Sequence, residues 1–113
     1  MASDCIFCKI VAGEIPATVV KRTDRLLAFR DVSPQAPVHV LVIPVEHVAS
    51  LPEVSDGRLL GEMLLLARDI ARDEHIAEAG YRVVLNTNRD GGQTVFHLHL
   101  HLLGGRRLTW PPG

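Results

Sequence analysis

The chain has 113 residues, of which 47% are hydrophobic and 22% charged, and its 12 lysines and arginines nearly balance 13 acidic residues. A chain of this length and apolar content can bury one core, so residues 1–113 are expected to form a single domain, and a disordered or low-complexity protein is excluded. The formal net charge of −1 argues against nucleic acid as a partner, although a small anionic ligand needs only a local site.

The first part of the chain predicts a short helix, a β-hairpin and a third strand. Residues 5–12 have the apolar spacing of a helix, which a following glycine ends. Residues 18–21 and 26–29 are apolar on either side of a polar segment, which favours a hairpin. Two prolines place 33–37 in a loop, and a strand is predicted over 38–43 and closed by a proline.

One long amphipathic helix is predicted over 55–75, where apolar residues recur at intervals of three and four. Ser55 or Asp56 can cap its start. Gly80 lies beyond the last apolar turn and is the expected C-terminal glycine.

Two further strands are predicted over 81–85 and 96–103, separated by a polar loop at 86–94. Together these elements indicate an α+β fold. Its expected form is a mostly antiparallel sheet of about five strands with one short N-terminal helix and one long helix.

No export or membrane segment is visible in the sequence. Residues 1–4 lack the basic and apolar regions of a signal peptide. The most apolar stretches, 38–45 and 59–67, fall well short of the roughly 20 residues of a membrane span. We therefore expect a cytoplasmic protein with no membrane partner and with reduced cysteines.

His97, His99 and His101 alternate with three leucines. On a strand this pattern places three imidazoles on one face and the leucines on the core face. Imidazole is a nucleophile toward phosphorus and exchanges protons near neutral pH, but two histidines at this spacing can also bind one zinc ion. The histidine row alone favours catalysis and metal binding equally.

Glycine pairs stand on both sides of the histidine row. Gly91 and Gly92 precede Gln93 and Thr94, and a second glycine pair follows the strand. Backbone amides at such positions can approach an anion closely, and the two side chains add donors. Either pair alone would be an ordinary turn, but beside the imidazoles they indicate phosphate chemistry.

The His-x-His-x-His sequence followed by two apolar residues resembles the signature of the histidine triad superfamily, and the chain is similar to its Hint branch. The similarity extends over most of the chain. It is carried by residues 5–10, 14–16, 28–37, 41–44, 86, 90–93, 103–106 and the terminal Trp-Pro-Pro-Gly at 110–113. Several motifs in one order are more specific than the triad alone.

The resemblance implies an α+β sheet domain that forms a homodimer and hydrolyses purine nucleoside 5′-phosphoramidates, releasing AMP or GMP and an amine. It makes His99 the nucleophile that carries a covalent nucleotidyl group. It places His101 and His39 beside the reacting phosphate. Thr94 stands where many members have a serine that contacts the leaving group.

The resemblance also implies a nucleotide-binding site. Asp31 and Val32 correspond to the ribose and base site, and Asn86, Gly92 and Gln93 to contacts on the phosphate side, together with Thr94, His99 and His101. Two of these residues have simpler explanations. His39 lies among apolar residues, as a hydrogen-bonded core histidine would, and Asp31 precedes a proline turn that it could stabilise.

Cys5 and Cys8 form half of a tetrahedral zinc site, which needs two further nitrogen or sulfur ligands. In family members that keep these cysteines, the remaining ligands correspond to His47 and His97. The resemblance therefore implies a closed, structural zinc site and no organic cofactor. The alternative is a pair of reduced cysteines in the core.

Two other functions remain open from the sequence. One is hydrolysis of dinucleoside polyphosphates, which another branch performs with a similar triad. The other is a nucleotide-binding interaction protein in which hydrolysis is incidental. For the expected homodimer, the resemblance places Trp110 near the partner's active site, with the strand over 81–85 and the apolar side chains of Leu59, Met63 and Leu66 at the interface.

Overall fold

The computed structural model describes residues 4–113. Within them the chain forms one five-stranded sheet and three α-helices, and a single turn of 3₁₀ helix at Leu51–Glu53 precedes the longest helix. In chain order the elements are α1 (Ile6–Val11), β1 (Val19–Arg22), β2 (Leu26–Arg30), β3 (Val38–Pro44), α2 (Gly57–Asp73), β4 (Tyr81–Val84), α3 (Asn88–Gly91) and β5 (Leu100–Gly104). The predicted α+β fold with an antiparallel sheet, one short N-terminal helix and one long helix is confirmed.

The strands lie in the order β1-β2-β3-β5-β4, and every neighbouring pair is antiparallel. β3 and β5 occupy the middle of the sheet, with Val38 opposite Gly104 and Val42 opposite Leu100. β1 and β4 are the edge strands. The register pairs His39 of β3 with Leu103 of β5 and Leu41 with His101, so His39 and His101 are diagonal neighbours on one face of the sheet.

Both faces of the sheet are covered. The long helix α2 packs on one face through Leu59, Met63 and Ala67, which join the leucines of the histidine segment in the larger core cluster. On the other face a smaller cluster surrounds Phe7 of α1. β3 is therefore buried on both sides from His39 onward, whereas β5 alternates between buried residues and the half-buried His101 and Leu103.

The ends of α2 differ partly from expectation. Asp56 is the N-cap, with its carboxylate accepting the Arg58 amide at 3.0 Å. The C-terminal glycine prediction was wrong, since the helix ends at Asp73 and His75 takes the left-handed conformation with φ 62°. The amides of His75 and Ile76 bond back to the carbonyls of Arg72 and Ala71, which is the Schellman pattern. Burial of Ile76 in the core fixes this earlier end.

The last strand is shorter than predicted. β5 begins at Leu100, because its ladder with β3 stops at the pair Val42–Leu100 and residues 96–99 have no strand partner in the described part of the chain. The segment before it is held instead by the Leu98 amide, which donates to the Val48 carbonyl at 2.6 Å. The predicted loop over 86–94 also contains a short helix, α3.

Two of the three side chains assigned to a dimer interface lie inside the domain. Leu59 and Met63 are buried in the core and cannot meet a partner, which corrects that part of the prediction. The exposed apolar residues of α2 are instead Leu64 and Leu65. No helix in the described residues is long and apolar enough to cross a bilayer.

Candidate functional site

The histidine row projects onto the face of the sheet that α1 covers. Leu98, Leu100 and Leu102 enter the core beneath α2, as the alternation predicts. The ring of Phe7 lies edge-on against His97 and His99, with centroid distances of 5.9 and 5.2 Å. Phe7 therefore covers part of the imidazole side, so His97 and His99 are buried whereas His101 is half-buried.

His99 has one ring nitrogen occupied and one available. Its Nδ1 lies 2.7 Å from the backbone carbonyl oxygen of His97. A carbonyl can only accept, so Nδ1 carries the hydrogen and the neutral ring has its lone pair on Nε2. This tautomer presents a nucleophilic nitrogen at the end of the ring away from the backbone.

His39 and His101 form a directional pair. The Gln35 amide donates to His39 Nδ1 at 3.0 Å, and His39 Nε2 lies 2.9 Å from His101 Nδ1. Since a backbone amide can only donate, the hydrogen of His39 is on Nε2 and is donated to His101. His101 must then carry its own hydrogen on Nε2, so this second ring offers a donor where His99 offers a lone pair.

The same pair is held in its neutral form. Burial, together with His99 and His39 nearby, lowers the pKa of His101 to about 4. Burial also lowers the pKa of His39, although the carboxylate of Asp31 opposes that shift. At neutral pH these rings act through their N–H groups and lone pairs rather than as imidazolium ions.

Asp31 and Val32 form the mouth of a separate depression. The Asp31 carboxylate lies 3.4 Å from His39 Nε2, and its other oxygen accepts the Ser33 amide at 2.8 Å. Val32 is 97% exposed. Both line a cavity of about 290 Å³ beside Pro16, Ala17, Thr18 and Arg30. Larger grooves exist, but the one of about 570 Å³ next to His75 offers one exposed imidazole and no paired rings.

The loop between β4 and the histidine segment is built around Gln93. The side-chain oxygen of this buried residue accepts the Asn88 amide at 2.9 Å. Its side-chain nitrogen donates to the carbonyls of Ala49 and Val95 at 2.9 and 3.1 Å. These hydrogen bonds occupy both polar groups of the Gln93 side chain, which therefore stabilises the loop conformation.

The other residues predicted for this loop lie around that scaffold. Gly92 has φ 85° and closes α3, a conformation that favours glycine. Asn86 is half-buried at the start of the loop, and Thr94 is exposed at its end. Their contact with a phosphate or a leaving group stays a prediction.

The four predicted metal ligands converge. The ligand atoms of Cys5, Cys8, His47 and His97 all lie within 4.8 Å of one another. His97 Nδ1 is 3.3 Å from Cys5 Sγ, and His47 Nδ1 is 3.3 Å from Cys8 Sγ. Two thiols and two imidazoles are a donor set that zinc prefers.

The protonation states fit a cation at this group. His97 Nε2 lies 2.8 Å from the Pro44 carbonyl, so it carries the hydrogen and leaves the Nδ1 lone pair toward the cysteines. Burial lowers the pKa of His97, which keeps the ring neutral. Burial and hydrogen bonding to Cys5 raise the pKa of Cys8 to about 11, and a bound cation would offset that cost by taking both thiolates.

A second group, Asp31, His39 and His101, also has its donor atoms within 4.8 Å of one another. Here the hydrogen bonds oppose a metal. Binding through His39 Nε2 would move its hydrogen to Nδ1, which already faces the donating Gln35 amide. This group is therefore suited to passing hydrogen bonds rather than to holding an ion.

Two residues of the site were missed from the sequence. Phe7 was placed on the short helix but not against the triad, and Gln35 was part of the quoted similarity without a role. The apolar position of Phe7 between two cysteines signals burial beside a metal group. Gln35 acts through its backbone amide, for which the residue type gives no signal.

Comparisons with known proteins place this geometry in context. The HIT domain family matches residues 12–108. An uncharacterised HIT-like protein of Synechococcus elongatus is 56% identical over the full length of both chains. The purine nucleoside phosphoramidase of Escherichia coli is 51% identical, covering 96% of this chain and 92% of that protein.

Solved structures agree. A HIT family hydrolase from Legionella pneumophila superposes with a TM-score of 0.94 at 55% identity, covering 96% of this chain and 99% of that one. A histidine triad protein from Clostridium difficile gives a TM-score of 0.91 at 44% identity, with 95% of each chain covered.

Proposed function

This chain belongs to the HIT family, and on that premise we propose that it is a hydrolase that cleaves purine nucleoside 5′-phosphoramidates through a covalent nucleotidyl intermediate on His99. One observation carries the proposal. Hydrogen bonds to the His97 carbonyl, from the Gln35 amide and from His39 to His101 give neighbouring rings complementary tautomers, with an unprotonated Nε2 on His99 and an N–H on His101. The similarity to a purine nucleoside phosphoramidase of 51% identity supports the substrate class.

In the first step, His99 Nε2 forms a bond to the α-phosphorus and the P–N bond breaks. The bonding electron pair leaves with the amine nitrogen, which takes one proton. We assign to the Thr94 hydroxyl the transfer of that proton from solvent to the amine nitrogen. The low pKa of His101 argues against its imidazolium form as the acid at neutral pH.

In the second step, water attacks the phosphorus, the bond to His99 breaks, and the nucleoside monophosphate leaves. The attacking water gives up one proton, which balances the proton consumed in the first step. His101 Nε2–H donates a hydrogen bond to a non-bridging phosphate oxygen in both steps. This contact stabilises the charge that develops on the phosphoryl oxygens.

Asp31 and Val32 hold the nucleoside in this proposal. A carboxylate can accept from both ribose hydroxyls, and the exposed Val32 side chain offers an apolar surface to the base. Asn86, Gly92 and Gln93 stand on the phosphate side. Because the Gln93 side chain is already bonded, we assign to it the shape of the loop rather than a free side-chain donor.

We assign zinc to Cys5, Cys8, His47 and His97. When bound, the ion would supply a structural cross-link between α1 and the sheet, with no coordination position left for substrate. The chemistry then rests on the chain's own imidazoles.

A homodimer is part of the proposal. The edge strand β4 and the exposed Leu64 and Leu65 of α2 supply surface for a two-fold contact, and Trp110, which is 80% exposed, is free to lie near the partner's active site. Light scattering tests the dimer. Deletion of residues 110–113 should leave the dimer intact but change kcat/KM according to the amine of the substrate.

The expected cytoplasmic location stays a prediction from the sequence.

The central test measures turnover by phosphorus NMR on AMP and GMP amidates and on dinucleoside polyphosphates. His99→Ala should abolish amidate turnover and the acid-labile phosphohistidine, whereas the matched variant His75→Ala, at an exposed position, should retain both. Full turnover by His99→Ala would refute the nucleophile. Faster hydrolysis of dinucleoside polyphosphates than of amidates would refute the substrate class.

A further inference from the structure

Arg106 reaches from the end of β5 to the loop that precedes β3. Its guanidinium donates two hydrogen bonds to the Gln35 carbonyl, from Nε at 3.2 Å and Nη2 at 2.9 Å. Its Nη1 donates to the Arg107 carbonyl at 3.0 Å, so the side chain is fixed at three points. A planar guanidinium held in this way fixes the orientation of the residue that it binds, which is Gln35.

Gln35 in turn sets the hydrogen positions of the His39–His101 pair. The Gln35 amide donates to His39 Nδ1 at 3.0 Å and thereby keeps the His39 hydrogen on Nε2. That hydrogen is donated to His101 at 2.9 Å. If the Gln35 amide turned away, either tautomer of His39 would be allowed, and His101 would lose its defined donor.

The turn before Arg106 is shaped to reach this loop. Gly105 has φ 91°, and a Cβ there would lie 2.8 Å from the Pro37 side chain. Only glycine permits both the conformation and the close approach. The turn therefore rests directly on the loop over 33–37 and aims Arg106 at its carbonyl.

Contacts within the loop do not fix the Gln35 amide on their own. The Asp31 carboxylate accepts the Ser33 amide, and the Gln35 side chain donates to the Ser33 carbonyl. Both contacts are local and exposed. In residues 4–113 the side-chain hydrogen bonds that reach this loop from a distant part of the chain come from Arg106.

We propose that Arg106 is a positioning residue that, through Gln35, fixes the tautomer of His39 and so the proton donor of His101. The proposal rests on the function proposed above. β5 carries His101 and leads into Arg106, so one strand supplies both ends of a closed chain of hydrogen bonds. Arg106 itself touches no reacting atom.

The test compares Arg106→Met with Arg106→Lys and with Arg107→Met. Methionine keeps the aliphatic stem and removes the donors, whereas lysine restores one donor. Arg107 is the matched control because it is the neighbouring exposed arginine, and its side chain makes no hydrogen bond or ion pair in the described chain. Circular dichroism and thermal melting check folding.

The primary readout is the imidazole nitrogen chemical shift of His39, which separates a protonated from an unprotonated Nδ1 without any substrate. In wild type and Arg107→Met, Nδ1 should be unprotonated. In Arg106→Met the second tautomer should appear, and in Arg106→Lys it should be reduced. A folded Arg106→Met with an unchanged His39 tautomer overturns the proposal.

The kinetic readout is the split between kcat and KM. Because one preorganised hydrogen-bond donor to a charge that develops in the transition state contributes roughly 100-fold or more, partial misalignment of His101 Nε2–H should lower kcat of Arg106→Met by about tenfold with little change in KM. A change in KM alone would overturn the positioning role. Wild type that turns over no amidate would refute the proposed function, while the tautomer measurement would still decide the role of Arg106.

Discussion

Acidification should destabilise this protein through the half-buried ring of His101 in particular. His101 lies between His99 and His39 with Asp31 beyond, and its pKa is lowered from the usual 6.5 to about 4, chiefly by burial. At a pH between these two pKa values, the His101 ring is protonated in the unfolded chain but not in the folded chain. The contribution of His101 to the free energy of unfolding is therefore fully present above pH 6.5 and is lost as the pH falls toward 4.

The size of the effect follows from the two pKa values. Each pH unit between them costs about 1.4 kcal/mol, so the loss is about 2 kcal/mol at pH 5 and about 3 kcal/mol by pH 4. For a domain with roughly 5–15 kcal/mol in total, this is a large share of its free energy of unfolding.

Urea unfolding at pH 7.5 and at pH 5 measures the loss in wild type, in His101→Gln and in His75→Gln. Glutamine cannot be protonated, so His101→Gln should lose about 2 kcal/mol less than wild type over this interval. The comparison cancels the contribution of the cysteine–histidine group, which is common to all three proteins. His75→Gln changes an exposed histidine and should behave as wild type.

Equal pH dependence in wild type and His101→Gln would refute the reasoning. It would mean that the His101 imidazole accepts a proton in the folded state as readily as in the unfolded chain. The burial and the neighbouring imidazoles would then not control its charge.

Three further predictions concern stability. Protein purified without chelator should contain about one zinc per chain for a single four-ligand site. Chelation or Cys8→Ser should then lower Tm by more than about 5 °C. Protein purified without chelator that contains no zinc would make the cysteines ordinary core residues. Phe7→Ala removes the ring that packs against His97 and should cost about 3–5 kcal/mol in chemical unfolding, with a smaller loss for Phe7→Leu; equal losses would argue against ring packing. Gly104→Ala would place a Cβ 2.6 Å from Ile76 Cδ1 and should cost about 1–3 kcal/mol, which Ile76→Val should partly restore in a double-mutant cycle; simple additivity would contradict the proposed clash.

Periodic elements could be predicted from the sequence because each depends on its own residues. The alternation of histidine and leucine, the apolar stripe of α2 and the hairpin punctuation all describe faces that must be buried. The clustering of Cys5, Cys8, His47 and His97 was reached through family resemblance, since no local pattern relates residues so far apart in the chain.

Other features depend on contacts that no local pattern contains. β5 starts later than its alternation suggests because its pairing with β3 stops at Val42 opposite Leu100, although β3 itself continues to Pro44. α2 ends early because Ile76 turns into the core. The coverage of the imidazole face by Phe7 requires the N-terminal helix to fold back across the sheet. Gln35 acts through its backbone groups, and the guanidinium of Arg106 reaches Gln35 only because of the loop geometry, so the residue types do not predict either role.

The carbonyl that orients His99 belongs to His97, which is itself a member of the cysteine–histidine group. One peptide unit therefore serves two centres, so a displacement of the His97 backbone changes the acceptor of His99 in the same movement. Substitutions made separately in the two centres should be non-additive in their effects on kcat, because they share this peptide. The cysteines and the nucleophile are therefore expected to respond to substitution as one thermodynamic unit.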